Sequence, residues 1–242
     1  MPEHVISDVC QLFRQLGAVP KNLLPATPTG WPADGDTPTF ARQLTTVTQN
    51  VYNRFSADFG DLYTAFGIPA DPLESILSDW AQLASRPFQL LHTDLHRKNM
   101  ICSRGRTYFL DWELALWGDP VYDLAVHLHK MAYRPDEAEL VIDGWLAVAA
   151  RGATTDWRAD LEKYLRHEQV KSAIVDSVRY TRLIASHGVT AAEEALLIGK
   201  LVDKLAAARA SLGLAPCIDL ATASEVIHRW AEVSSQGYSA EG

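Results

Sequence analysis

The run His92-Thr93-Asp94-Leu95-His96-Arg97-Lys98-Asn99, with Leu110-Asp111-Trp112-Glu113 soon after it, constrains this chain more than any other feature. Phe88 to Leu91 reads as a short strand that ends at this charged loop. Segments 100–102 and 108–110 read as two more strands, joined by a turn at Ser103-Arg104-Gly105-Arg106. That hairpin returns Asp111 towards Asp94 and Asn99. The segment from Pro120 to Tyr133 is then apolar on almost every side, with Val121, Leu124, Ala125, Val126, Leu128 and Met131. A helix of that kind belongs in the centre of a domain.

The remaining periodicity is helical. Val5, Val9, Leu12, Phe13 and Leu16 share one face, and Gly17 is a natural stop. Between Ala18 and Pro38 lie Pro20, Pro25, Pro28, Pro32 and Pro38, which predict an irregular connection. A helix is expected over 40–57. Another starts at Asp71-Pro72-Leu73-Glu74, with Leu73, Ile76, Leu77, Trp80, Leu83 and Ala84 on its apolar face. Further helices are expected over 136–150, 156–186, 190–212 and 219–234, with Thr190 and Glu193 forming a capping box. The fold class is therefore mainly α with a few short β-strands. We expect one domain over 1–242: a helical lead-in over 1–91, the loops and central helix over 92–133, and a helical bundle over 134–242.

With 22 basic against 30 acidic residues the net charge is −8, which argues against general nucleic-acid binding. It is compatible with a cationic small-molecule partner. Cys10, Cys102 and Cys217 show no paired or zinc-binding spacing and read as reduced thiols. The start of the chain lacks a basic and apolar leader, and no apolar run approaches membrane-spanning length. A cytoplasmic protein without a membrane partner is the expectation.

An isolated loop aspartate is ordinarily a turn residue; its surroundings single out Asp94. Where a strand enters a loop, a carboxylate can orient a hydroxyl and accept its proton. Asn99 and Asp111 offer hard oxygen ligands of the kind Mg²⁺ prefers. Those are the parts that phosphoryl transfer from ATP to a hydroxyl requires. His92 reads as a brace of the loop. Glu113 stands either at the metal or in a structural hydrogen bond, and Arg97 and Lys98 either near phosphate or in solvent. Trp112 and Trp117 read as packing residues, and His129 as an ordinary helix residue. A metal hydrolase built on His92, Asp94 and His96 finds no supporting zinc motif.

The pattern H-x-D-L-x-x-x-N followed by an aspartate turn matches the catalytic-loop and metal-loop signatures of kinases. Its closer resemblance is to the aminoglycoside phosphotransferase and choline kinase superfamily, whose loop typically reads H-G-D-L-H-x-x-N. The later blocks Leu110-Asp111-Trp112-Glu113 and Gly118-Asp119-Pro120-Val121-Tyr122-Asp123-Leu124-Ala125 also resemble that family in order and spacing. The resemblance implies a protein-kinase-like C-terminal lobe, with ATP as donor, Mg²⁺ as cofactor, and a hydroxyl of an antibiotic, amino-alcohol or sugar-like molecule as acceptor. It implies Asp94 as catalytic base, Asn99 and Asp111 as metal ligands, and Asp123 as an anchor of the loop, with His127 available to join it. His96 stands where protein kinases commonly place a phosphate-contacting lysine, which makes it a candidate phosphate contact. Thr93 replaces the arginine of protein kinases, a departure that points to small-molecule acceptors. Glu162, Tyr164, His167, Glu168 and Asp176 are candidates for an acceptor cleft or, equally, a solvated helix face.

Family members also carry a strand-rich N-terminal lobe with a phosphate-covering loop and a paired lysine. Here Lys21 is the sole lysine before His92, and Gly30, Gly35 and Gly60 form no G-x-G-x-x-G pattern. The chain thus reads as a C-terminal lobe alone, with weak or no activity by itself. The competing expectation is a non-catalytic kinase-like binding module.

Overall fold

A computed structural model describes residues 3–186, 188–214 and 218–239, with helices predominating over a few short strands. In chain order these are α1 (Glu3–Gly17), a 3-10 turn (Lys21–Leu23), α2 (Thr37–Ala65), α3 (Glu74–Trp80) and β1 (Gln89–Leu91). A second 3-10 turn (Arg97–Asn99) leads to β2 (Met100–Ser103), β3 (Arg106–Phe109) and β4 (Leu116–Gly118). The helices α4 (Pro120–Met131), α5 (Pro135–Val148), α6 (Trp157–Ala185), α7 (Ala191–Leu212) and α8 (Leu220–Ser239) complete the chain. Cys10 and Cys102 are free thiols, and Cys217 lies outside the described residues.

The chain divides into two compact units, Met1–Gln43 with Asp79–Glu168, and Leu44–Ser78 with Gln169–Gly242. In the first, α4 is central. Its start is set by the Asp119 side chain, which accepts from Val121 N–H at 3.0 Å, with Pro120 filling the first helical position. Val121, Leu124, Ala125 and Val126 are completely buried, so every side of the helix over that turn is covered. Burying such side chains stabilises by roughly 1.5–3 kcal/mol for each large one. The helix ends at Ala132, whose φ of 46° is left-handed and whose N–H bonds Leu128 O.

Two small antiparallel sheets accompany α4: β1 with β4, and β2 with β3. The β2–β3 hairpin turns through Arg104 and Gly105, with φ of 51° and 71°, the pair of positive values a tight twisted turn requires. Strand β4 escapes the sequence reading because three residues carry no alternation. It exists because β1 needs a partner, and Leu90 faces Trp117 across the ladder. Gly118 leaves room for the fully buried Phe40 ring, which a Cβ there would meet at 2.3 Å.

Other boundaries move for identifiable reasons. α2 continues past the expected 57 to Ala65, because Phe59, Leu62 and Tyr63 extend its buried face. Gly67, with φ of 76°, follows its end. α3 is shorter than the capping signal suggests, because Asp71 meets Glu74 N–H with its main-chain carbonyl at 3.3 Å and Pro72-Leu73 remain in a turn. Its expected face is also narrower: Leu73, Ile76 and Trp80 are buried while Leu77 is exposed. α8 runs to Ser239, beyond the expected 234.

Arg86 centres a buried ionic cluster. Arg86 donates from Nε to Asp119 Oδ1 at 2.9 Å and from Nη1 to Asp160 Oδ2 at 2.6 Å and to Thr155 O at 2.7 Å. Tyr164 OH adds a bond to Asp119 Oδ2 at 2.9 Å, and Lys163 one to Asp160 Oδ1 at 2.9 Å. Although burial opposes its charge, the hydrogen bonds and charges of Asp119 and Asp160 raise the Arg86 pKa above its ordinary value. The cluster ties the cap of α4 to the start of α6.

The second unit is aromatic at its centre. Phe59 stacks on Trp230 with centroids 4.7 Å apart, the Arg182 guanidinium lies 4.8 Å from the Phe59 ring, and Tyr52 stacks on Tyr63 at 5.0 Å. The expected capping box forms at α7, where Thr190 and Glu193 exchange hydrogen bonds.

Replacing Arg86 by Met should destabilise the fold by about 3 kcal/mol or more, because two buried carboxylates lose their shared cation. Urea denaturation would measure it. Arg229→Ala, which breaks an exposed pair with Glu225, should leave the midpoint unchanged.

Candidate active site

The loop at 92–99 is held from below by one stripe of α4. Asp123 Oδ2 accepts from His92 N–H at 3.0 Å, and its Oδ1 accepts from Thr93 N–H at 2.7 Å. One turn on, His127 donates from Nδ1 to Leu95 O at 2.9 Å, and its Nε2 accepts from Tyr133 OH at 2.9 Å. Lys130, a further turn on, places its ammonium on Asp94 Oδ1. These residues stand at i, i+4 and i+7, the repeat that keeps side chains on one helix face. Burial raises the Asp123 pKa, while the two backbone N–H groups and His92 favour its charged form. Two amide donors are what makes an enclosed carboxylate tolerable in an apolar helix.

A second set of bonds clamps the 110–114 segment to the loop. Asp94 N–H donates to His92 Nδ1 at 3.3 Å, which leaves the His92 proton on Nε2, directed at Leu110 O at 3.1 Å. Thr93 Oγ1 donates to Leu114 O at 2.7 Å, and Leu110 N–H to Asn99 O at 2.9 Å. The Trp112 ring packs on His92 with centroids 4.5 Å apart. Thr93 and Asp111 both adopt left-handed backbone, with φ of 59° and 62°. Aspartate tolerates this conformation, but a β-branched threonine is strained there, and its tether to Leu114 offsets part of the cost.

These clamps bring the candidate residues together. Asn99 is buried and donates from Nδ2 to Asp94 O and to Asp94 Oδ2, both at 2.9 Å. The amide is therefore oriented with its carbonyl oxygen away from Asp94. Asp111 is exposed, immediately follows the residue bonded to Asn99 O, and acts electrostatically on His96 together with Asp94. An oriented amide oxygen and an open carboxylate fit Mg²⁺, which binds through one or two side chains and fills its remaining positions with phosphate and water. Among the described residues no three His, Cys, Asp or Glu side chains are grouped to hold a metal.

His96 accepts from Lys98 N–H through Nδ1 at 3.2 Å, which caps the 3-10 turn, and its Nε2 lies 3.5 Å from Asp94 Oδ1. Burial lowers its pKa, with Lys130 and Lys98 pushing the same way and Asp94 and Asp111 opposing them. Arg97, Lys98 and Glu113 are exposed. Of the acceptor candidates, Tyr164, His167 and Glu168 are buried in packing, where Tyr122 OH bonds Glu168 Oε1 at 3.1 Å. Glu162 is exposed, and Asp176, in the other unit, pairs with Arg179 at 2.6 Å and Lys204 at 2.9 Å. Lys130 was missed by sequence reasoning. Its signal was the i+7 step from Asp123 on a face already carrying His127.

The family model described as phosphotransferase enzyme family matches residues 4–162. This chain belongs to that family. No curated protein sequence matches it significantly. Among solved structures, a choline/ethanolamine kinase family protein from Mesorhizobium loti is similar with a TM-score of 0.52 and 14% identity, over 93% of this chain and 66% of that one. Choline kinase LicA from Streptococcus pneumoniae is similar with a TM-score of 0.41 and 15% identity, over 83% of this chain and 63% of that one. The chain thus spans just under two thirds of these structures, and the phosphotransferase's fold matches the first over part of its length. Among the described residues no helix is long and apolar enough to cross a membrane.

His127 makes the loop sensitive to acid. Burial lowers its pKa from 6.5 to about 4, so the unfolded chain binds a proton in that window that the folded one does not. Stability present above pH 6.5 should fall as pH drops towards about 4, by on the order of 3 kcal/mol from this group. Denaturation at stepped pH would measure it, and His127→Gln should flatten the slope across that window.

Proposed function

We propose that this phosphotransferase moves the γ-phosphoryl group of ATP, in the presence of Mg²⁺, to a hydroxyl of a small molecule such as an antibiotic, an amino-alcohol or a sugar-like compound. The observation that carries the reading is the joining of Asn99 to Asp94 on a loop that Asp123 holds, with Leu110, the neighbour of Asp111, bonded to Asn99 O. Phosphoryl transfer from a Mg²⁺-bound nucleotide to a hydroxyl uses a base and two metal ligands of these types, Asp94, Asn99 and Asp111.

In this reading Asp94 orients the acceptor hydroxyl and takes its proton as the acceptor oxygen bonds to the γ-phosphorus and the bond to the departing diphosphate breaks. Asn99 presents an amide oxygen and Asp111 a carboxylate to Mg²⁺, which when bound neutralises phosphate charge. Asn99 also fixes the Asp94 carboxylate through its Nδ2, so ligand and base are positioned by one side chain. The choline and ethanolamine kinases named among the similar structures make amino-alcohols a sensible first acceptor class. The acidic balance of the chain suits a cationic acceptor.

The test is phosphoryl transfer from labelled ATP over an aminoglycoside, choline and amino-alcohol panel. With no glycine-rich phosphate loop in the sequence, turnover should stay well below about 10 s⁻¹, a typical enzyme value. Asp94→Asn should lower the rate by roughly 10²–10⁴-fold, the usual contribution of a positioned base. Asp111→Asn should raise the Mg²⁺ concentration needed for half-maximal rate. An Asp94→Asn variant as fast as the parent would refute the assignment, and Mg·ATP binding without transfer to any acceptor would favour the binding-module reading.

A further inference from the structure

We infer that Lys130 is a catalytic lysine whose ammonium joins Asp94 to the phosphoryl group in transfer, a role that rests on the phosphotransferase reading above. Its ammonium carries three N–H donors, and Asp94 is its one hydrogen-bond acceptor among the described residues. The Lys130 side chain is 25% exposed and that of Asp94 16%, so solvent reaches both members of the pair. The remaining donors are therefore available to phosphate oxygens at the base itself.

Of the cations around the loop, Lys130 is the one paired with the base; Arg97 and Lys98 are exposed and make no ion pair with Asp94 among the described residues. His96 stands at the position where a kinase loop commonly carries a lysine, but its Nδ1 is committed to Lys98 N–H as a cap. Lys21, the sole lysine before His92, lies 5.6 Å from the Trp117 ring centroid. Lys130 reaches Asp94 because it shares the α4 face that holds the loop through Asp123 and His127. That helix face thus both positions the base and supplies its counter-charge.

During transfer the acceptor oxygen bonds to phosphorus, and the bridging P–O bond breaks with its electron pair leaving on ADP. The acceptor proton passes to Asp94. Lys130 keeps all three of its protons. As Asp94 becomes neutral, the ammonium's attraction turns from the carboxylate to the phosphoryl oxygens, where charge is concentrated.

Isothermal titration of the full chain with Mg·ADP and Mg·AMP-PNP, a non-hydrolysable ATP analogue, separates this role from a structural one. Lys130→Met should lose about tenfold or more in triphosphate affinity, the worth of a charged hydrogen bond, with diphosphate affinity unchanged. Lys130→Arg should restore most of the difference, and Lys130→Gln provides a second neutral variant should Met fail to fold. A neutral variant that keeps the parent's triphosphate-to-diphosphate preference would overturn the role of Lys130 alone. A parent chain that binds neither nucleotide would overturn the phosphotransferase reading and this inference with it.

Discussion

The buried Asp123 carboxylate is the interaction on which the rest of the site depends. It lies in a helix whose surroundings are apolar, where an unpaired charge would be very costly. Its two oxygens are satisfied by consecutive backbone N–H groups of a loop that precedes the helix in sequence. Either partner alone is unfavourable: the loop amides would be unsatisfied and the carboxylate desolvated. Together they determine where the loop crosses α4, and so where Asp94 stands.

From that anchor the geometry propagates by short steps. The His92 imidazole spans from Asp94 N–H to Leu110 O, Thr93 reaches Leu114, and Asn99 binds Asp94 on one side and Leu110 on the other. Residues distant in sequence are thereby tied within one hydrogen-bonded assembly. The left-handed backbones at Thr93 and Asp111, strained at the β-branched Thr93, belong to the same design, since both turns lie in the segments that the clamps join. The Arg86 cluster supports the arrangement from the other end, since Asp119 both caps α4 and accepts from the buried guanidinium.

Much of this was legible in the residues. The all-round apolarity of 120–133 announced a central helix, the Arg104-Gly105 turn announced the hairpin, and Thr190 with Glu193 announced the start of α7. The motif blocks singled out Asp94 and Asn99, which hydrogen bonds join in the structure, and proposed Asp111 beside them. What escaped notice shares a property: it depends on partners far along the chain. β4 is a strand because β1 lies beside it, and α2 outruns its predicted end because a distant tryptophan, Trp230, stacks on Phe59. Arg86 carries no local signal, and its role comes from the two carboxylates, Asp119 and Asp160, that close around it.

Local pattern by itself determined the helical class, the central helix, the hairpin and the residue types able to take a proton or hold a hard cation. These follow from periodicity, turn chemistry and side-chain donor sets, all of which are short-range properties. Only the tertiary structure decided that Lys130 rather than His96 provides the cation on Asp94, that Asn99 turns its amide nitrogen inward, and that Asp119 and Asp160 share one guanidinium. Those outcomes depend on which face of α4 meets the loop and on which charges are buried together, and such pairings are settled by packing across the chain.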